Sequence, residues 1–188
     1  MGEEGEDAGF TLIELMVVLL ILAILLAIAI PTFLGVTKSA NDRAAQSNLN
    51  TALINAKAAY QQAGQTYTTF NTATLSSAEP SLSYTTGTTN AQSLISVYTS
   101  TDGNGVLMVS WSKSNQCWAI ADNPNPITNN APGANNPVQY TNSTTAGTVP
   151  VGQGVWYGKT ASPTATTATC GANTGLANMT WQQNGFSS

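Results

Sequence analysis

The sequence Gly-Phe-Thr-Leu-Ile-Glu-Leu at residues 9–15 opens a long apolar run. Between residues 10 and 36 only three side chains are polar, those of Thr11, Glu14 and Thr32. A helix needs about 20 apolar residues to cross the hydrocarbon core of a bilayer, so this run is long enough. A carboxylate inside such a helix is costly. The position of Glu14 at the edge of the run therefore indicates a specific role.

Two general classes of apolar N-terminal segment leave part of this pattern unexplained. A secretory signal carries a basic n-region before a shorter apolar stretch. Residues 1–9 are acidic instead, although Ala27-Ile28-Ala29 offers a small-residue cleavage site. A plain transmembrane anchor does not explain the presence of Glu14. The alternative is that the carboxylate simply reaches the membrane interface and has no further role.

The run Gly9-Phe10-Thr11-Leu12-Ile13-Glu14-Leu15 resembles the processing site of a type IV prepilin. This resemblance implies that a prepilin peptidase and N-methyltransferase cuts after Gly9 and methylates the new amino terminus, Phe10. It also implies that Glu14 pairs with the terminal amine of a neighbouring subunit during assembly. A buried amine and a buried carboxylate are each costly alone and tolerable together.

The distribution of charge has two consequences. Four of the nine acidic residues precede Gly9, so removal of the leader leaves five acidic against five basic side chains. A near-neutral subunit can stack many times without long-range repulsion. The leader has no basic residue, whereas Lys38 and Arg43 follow the apolar run. The positive-inside tendency alone would therefore place the C-terminal side in the cytoplasm, opposite to what the resemblance implies.

Pro31 and Gly35 interrupt the helical pattern between the two halves of the N-terminal segment. Proline inside a helix costs about 3 kcal/mol, and glycine costs about 1 kcal/mol relative to alanine. One interpretation is that the membrane helix ends there. The interpretation we favour is a continuous helix with a weak point, because helical periodicity resumes at once. In pilins this stretch kinks and can unwind within the filament.

The second half of the helix is predicted to be amphipathic. A 4-3-4-3 spacing of apolar residues places one stripe on a single face, and it comprises Leu49, Leu53, Ala56, Tyr60 and Ala63, widened by Ala45, Ala52 and Ala59. Gly64 is a typical C-cap signal.

The remainder of the chain is predicted to be rich in β-structure. Residues 65–93 read as a long connection, followed by strands divided by Gly- and Asn-containing turns. The predicted strands are Ser93–Ser100, Val106–Ser112, Cys117–Ala121 and, after an Asn- and Pro-rich loop at 123–150, Gly154–Lys159.

Cys117 and Cys170 are the two cysteines of the chain. An even pair in an exported domain indicates a disulfide, whereas two free buried thiols are the alternative. In pilins a disulfide commonly joins the C-terminal region to the sheet, which fits these positions.

Composition argues against several other functions. The chain has no histidine, which removes the commonest general base and zinc ligand. After Gly64 the chain has two lysines and no arginine, which is too few for a nucleic-acid-binding patch. Asp102-Gly103-Asn104-Gly105 lacks the later acidic ligands of an EF-hand and reads as a turn. We therefore expect no catalytic residue, no metal and no cofactor.

Together these features predict an α+β pilin fold, with a long N-terminal helix packed on a C-terminal antiparallel sheet. The expected parts are a leader at 1–9, a transmembrane and assembly helix at 10–36, an amphipathic helix at 37–64 and a globular domain at 65–188.

The expected function is that of a type IV pilus subunit supporting adhesion, motility or biofilm formation. A pseudopilin of a type II secretion system is the alternative. The resemblance implies copies of the chain, the peptidase, an assembly platform and a motor ATPase as partners. It places the precursor in the cytoplasmic membrane, with its N-terminus in the cytoplasm, and the mature subunit in an extracellular filament.

Overall fold

The computed structural model divides the chain into two compact units, Met1–Lys38 and Ser39–Ser188. The residues that the structure describes are 9–68, 70–89, 91–128, 140–141, 149–160, 170–171 and 179–186. Most of the predicted leader, and much of the predicted loop at 123–150, lie outside the described residues.

Helix α1 runs from Leu12 to Gln62 and includes Pro31. The alternative in which the helix ends at Pro31 is therefore wrong. Gly64 adopts a φ of +72°, and the amide of Gln65 donates to the carbonyl of Tyr60 at 3.0 Å. This arrangement closes the C-terminus of the helix in the left-handed conformation that glycine favours.

A six-stranded sheet follows, in the order β1-β2-β3-β4-β7-β8. The element bounds are α2 Thr72–Ala78, β1 Ser83–Thr85, β2 Leu94–Thr99, β3 Val106–Trp111, β4 Cys117–Asn123, β5 Tyr140–Thr141, β6 Val149–Pro150, β7 Gly154–Thr160 and β8 Met179–Gln182. Strands β5 and β6 form a separate parallel pair. The predicted α+β arrangement is confirmed, with one difference: β1 pairs with β2 in parallel, so the sheet is mixed.

The predicted connection at 65–93 contains two elements that the sequence analysis missed. Helix α2 has seven residues, one of them buried, Leu75. Asn71 caps it by accepting a hydrogen bond from the amide of Thr74 at 2.9 Å. Strand β1 has only three residues. Both elements are too short to show a hydrophobic period in the sequence. Their secondary structure therefore depends on contacts with neighbouring elements.

The main core lies between the second half of α1 and one face of the sheet. The predicted apolar stripe supplies its helical side, since Ala45, Leu49, Ala52, Leu53, Ala56 and Tyr60 are buried. The sheet contributes alternate residues of β2, β3 and β4, which are Ile95, Val97, Val106, Met108, Trp118 and Ile120. The prediction that the stripe packs on the sheet is confirmed.

The opposite face of the sheet carries a second buried cluster that includes Leu107, Val109 and Ala119. Cys117 opens β4 within this cluster and forms a disulfide with Cys170, with a Cα–Cα distance of 5.6 Å. The disulfide joins the central strand to a segment 53 residues later. The predicted pairing is present.

A buried carboxylate lies beneath the helix at the end of β4. The Asp122 side chain is 5% exposed, and one of its oxygens is 3.4 Å from the ammonium of Lys57. Its other oxygen accepts a hydrogen bond from the Tyr67 hydroxyl at 2.7 Å. Burial raises the pKa of Tyr67 far above its ordinary value of 10.0, and the hydrogen bond to Asp122 adds to the effect. This network ties α1, the following segment and the sheet together.

Reduction of the disulfide is expected to lower the free energy of unfolding by about 4 kcal/mol, because the bond closes a long loop in the unfolded chain. Denaturant titration of the full chain in detergent, with and without reductant, measures this loss. The Cys117→Ser/Cys170→Ser variant should match the reduced protein. Alkylation of both cysteines in denaturant without reductant would contradict the pairing.

Tyr67 is expected to make stability fall at alkaline pH. Below pH 10 the phenol is protonated in both states, so its contribution is fully present. Above that pH the unfolded chain ionises while the folded Tyr67 keeps its proton. The free energy of unfolding then falls by about 1.4 kcal/mol per pH unit from this group.

Tyr67→Phe should remove that slope and cost about 1–3 kcal/mol at neutral pH, because Asp122 loses a buried donor. Denaturant titrations across the alkaline range, with Tyr157→Phe as the matched control, check this. An unchanged alkaline slope in Tyr67→Phe would show that other groups cause the loss.

Candidate functional site

The first turn of α1 is closed by reciprocal hydrogen bonds between Thr11 and Glu14. The Thr11 amide and hydroxyl donate to Oε2 of Glu14 at 2.9 Å and 2.8 Å. The Glu14 amide donates to the Thr11 hydroxyl at 3.3 Å. This pattern is a capping box, in which two otherwise unpaired backbone donors of a helix N-terminus are satisfied.

The capping box gives Glu14 a role within its own chain. A negative charge is favourable at a helix N-terminus because the helix dipole is positive there. The predicted role of Glu14 was to pair with an amine of another subunit, and the capping role was missed, although the Thr-x-x-Glu spacing signals it. None of the three hydrogen bonds uses Oε1, so the cap leaves one carboxylate oxygen for another donor.

Gly9 and Phe10 precede the cap and are accessible. A methyl group added at Gly9 would meet no atom within 4 Å. The Phe10 side chain is 91% exposed. The described residues therefore leave this junction open on the surface of the chain.

The apolar segment that follows is exposed along its whole length. Every large apolar side chain from Phe10 to Val36 is between 48% and 91% exposed. By length and composition α1 is able to cross a membrane. Water is a poor solvent for such a surface, since each Å² removed from water is worth about 25 cal/mol.

Pro31 and Gly35 lie within this apolar part of α1. Pro31 has no amide hydrogen and cannot bond to the carbonyl of Ala27, one turn earlier. The Thr32 hydroxyl donates to the next carbonyl, that of Ile28, at 3.0 Å. A methyl group at Gly35 would meet nothing within 4 Å. The helix is intact here, and the weakness of this stretch stays a prediction.

The predicted functional residues fall at three separate places in the chain. Gly9, Phe10 and Glu14 lie at the start of α1, and Pro31 and Gly35 lie within the helix. Cys117 lies in β4 and forms a disulfide with Cys170, which lies outside the strands. Among the described residues, no group of three or more His, Cys, Asp or Glu side chains could hold a metal ion.

Comparison with known proteins adds two findings. The model of the prokaryotic N-terminal methylation motif matches residues 6–30. The chain is also 43% identical over 68 residues to the type IV wide pilus major component PilA4 of Thermus thermophilus. That match covers 36% of this chain and 51% of the relative, so the chain spans about half the length of the pilin it matches. No solved structure matches the chain.

The three lines of observation agree. The methylation motif covers the capped, exposed start of α1 and the apolar segment behind it. The order of one long helix before a β-sheet is consistent with the pilin fold. The chain thus carries a prokaryotic N-terminal methylation motif and is similar over 68 residues to a type IV pilin.

Proposed function

We propose that this chain is the structural subunit of an extracellular type IV pilus. The observation that carries the proposal is the exposed apolar part of α1, which begins at a capped carboxylate within a methylation motif. The similarity to a pilus component of Thermus thermophilus supports the same function.

The exposed apolar segment must be covered by something other than water. A bilayer covers it before assembly, since the segment is long enough to span one. Other copies of the same segment cover it afterwards, as in a bundle of helices. The chain is thus first a membrane-anchored precursor, with its N-terminus in the cytoplasm, and then a filament subunit. An assembly platform and a motor ATPase drive the transfer.

The junction between Gly9 and Phe10 is the processing site. A peptidase that cuts there removes the acidic leader and exposes an amine on Phe10, which is then methylated. The accessibility of both residues supports this assignment. The mature side chains then balance at five acidic and five basic groups, which limits repulsion between stacked copies.

Glu14 is the assembly carboxylate. In the apolar interior of a helix bundle its charge needs a partner, and the amine of a neighbouring copy supplies one. The capping box satisfies Oε2 within the chain. Oε1 is then the oxygen that receives the neighbour's amine. One such pair per subunit fixes how far each helix is displaced along the next.

Pro31 and Gly35 form the helix weak point in the filament. The backbone there has one fewer hydrogen bond and one residue of low helix propensity. The stretch can therefore unwind under load while the disulfide-linked domain stays folded. Such a filament supports adhesion, motility or biofilm formation.

Gly9→Val is expected to abolish cleavage, because a peptidase that approaches the backbone at a glycine has no room for a side chain. The chain's own fold should be unaffected, since a methyl group at Gly9 meets no atom within 4 Å. The mass of the protein from native cells reports cleavage. Gly5→Val, in the same leader, is the control and should be processed. Normal cleavage of Gly9→Val would contradict the assignment.

Glu14→Val and Glu14→Gln are expected to be cleaved but to yield few fibres. Glutamine at this position still caps the helix with its amide oxygen and lacks only the charge. The yield of sheared filaments, with processing checked by mass, therefore separates the two roles of Glu14. Normal fibres from Glu14→Gln and none from Glu14→Val would show that the cap matters and the charge pair does not.

A further inference from the structure

The charges of the unit Ser39–Ser188 are not evenly spread. All charged side chains of the chain beyond its leader lie in described residues, so their positions are all known. Three of the basic ones lie near one another at one end of the sheet. They are Arg43 of α1, Lys113 of the β3–β4 turn and Lys159 of β7.

Asp42 relates the positions of these three residues through Ser114 and Trp118. Its Oδ1 accepts hydrogen bonds from the Ser114 hydroxyl and from the Trp118 ring nitrogen, the latter at 3.2 Å. Arg43 and Lys113 are the sequence neighbours of Asp42 and Ser114. The ammonium of Lys159 lies 5.1 Å from the centre of the Trp118 ring. One oxygen of this carboxylate thus already accepts two hydrogen bonds.

The other acidic side chains of this unit lie elsewhere. Strand register places Asp122 opposite Val106, whereas the β3–β4 turn follows the pair of Trp111 with Cys117 at the other end of the strands. Asp102 precedes β3 and is therefore also at the far end.

Glu79 precedes β1, the edge strand on the opposite side of the sheet from β7, and accepts hydrogen bonds from Ser81. Among the described residues the ion pair joins Lys57 to Asp122, and Arg43, Lys113 and Lys159 form none.

The sequence connects this basic end directly to the apolar segment. Lys38 follows Val36 by two residues, and Arg43 follows it by seven in the same helix. Seven residues correspond to about 10 Å along a helix axis. Arg43 of the basic end is therefore also close in sequence to the apolar segment.

We propose that Arg43, Lys113 and Lys159 bind anionic phospholipid headgroups while the chain is anchored in the membrane. The inference rests on the proposed function, because it requires a membrane-anchored precursor. Basic clusters directly beyond a membrane helix are attracted to anionic lipids within about one Debye length. Lipid contact also explains why basic residues follow the apolar segment. The positive-inside tendency alone would place them on the cytoplasmic side.

The test uses the full chain in nanodiscs that hold one copy each, made either of phosphatidylcholine or of a mixture with phosphatidylglycerol. Lysines are labelled with a water-soluble amine reagent and quantified by mass spectrometry. Lys57, half exposed and distant from the cluster, is the internal reference. Labelling of Lys113 and Lys159 relative to Lys57 should fall about fivefold in the anionic discs, and high salt should restore it.

A variant pair makes the result specific. Lys113→Gln/Lys159→Gln should lose the lipid-dependent protection of amide hydrogens in the β3–β4 turn, whereas Lys57→Gln should keep it. Equal labelling in both lipids, with the chain co-eluting with the discs, would overturn the lipid contact and leave the anchor intact. Failure to co-elute would overturn the anchor and the lipid contact together. Protection that appears only with two copies per disc would show a contact between subunits and overturn the proposal.

Discussion

Water cannot be the lasting environment of the first half of α1, because its apolar side chains are exposed. Each large apolar side chain from Phe10 to Val36 is about half exposed or more. At about 25 cal/mol per Å², covering this surface is worth far more than the few kcal/mol that decide the stability of a domain. On the proposed function, a membrane and then other copies of the chain cover this surface.

The second half of the same helix serves a different purpose. Its apolar stripe packs on the sheet, and the Lys57–Asp122–Tyr67 network adds a polar tie across the same contact. On the other face of the sheet, the disulfide secures β4 to a segment near the C-terminus. Under the proposed function, a domain held in this way remains folded while the helix moves from lipid into the filament.

The sequence predicted the features that have a long period or a specific motif. These are the amphipathic second half of α1, the strands from β2 to β4, β7 and the motif at the start of the helix. Short elements such as α2, β1 and β8 were missed because their secondary structure depends on contacts with neighbouring elements. The buried position of Asp122 was also missed, although it alternates with Trp118 and Ile120 and so shares their face. The capping role of Glu14 was also missed. The Thr-x-x-Glu spacing indicates a capping box, but Glu14 was interpreted only as an assembly residue.

We propose that the chain is cut after Gly9 and enters an extracellular filament. The most direct test is mass spectrometry of the fraction sheared from the surface of native cells, aimed at the N-terminal peptide. We expect a peptide that begins at N-methylated Phe10 in that fraction. An unprocessed N-terminus there would contradict processing. A processed chain found only in the cell envelope would contradict the extracellular filament and favour a pseudopilin.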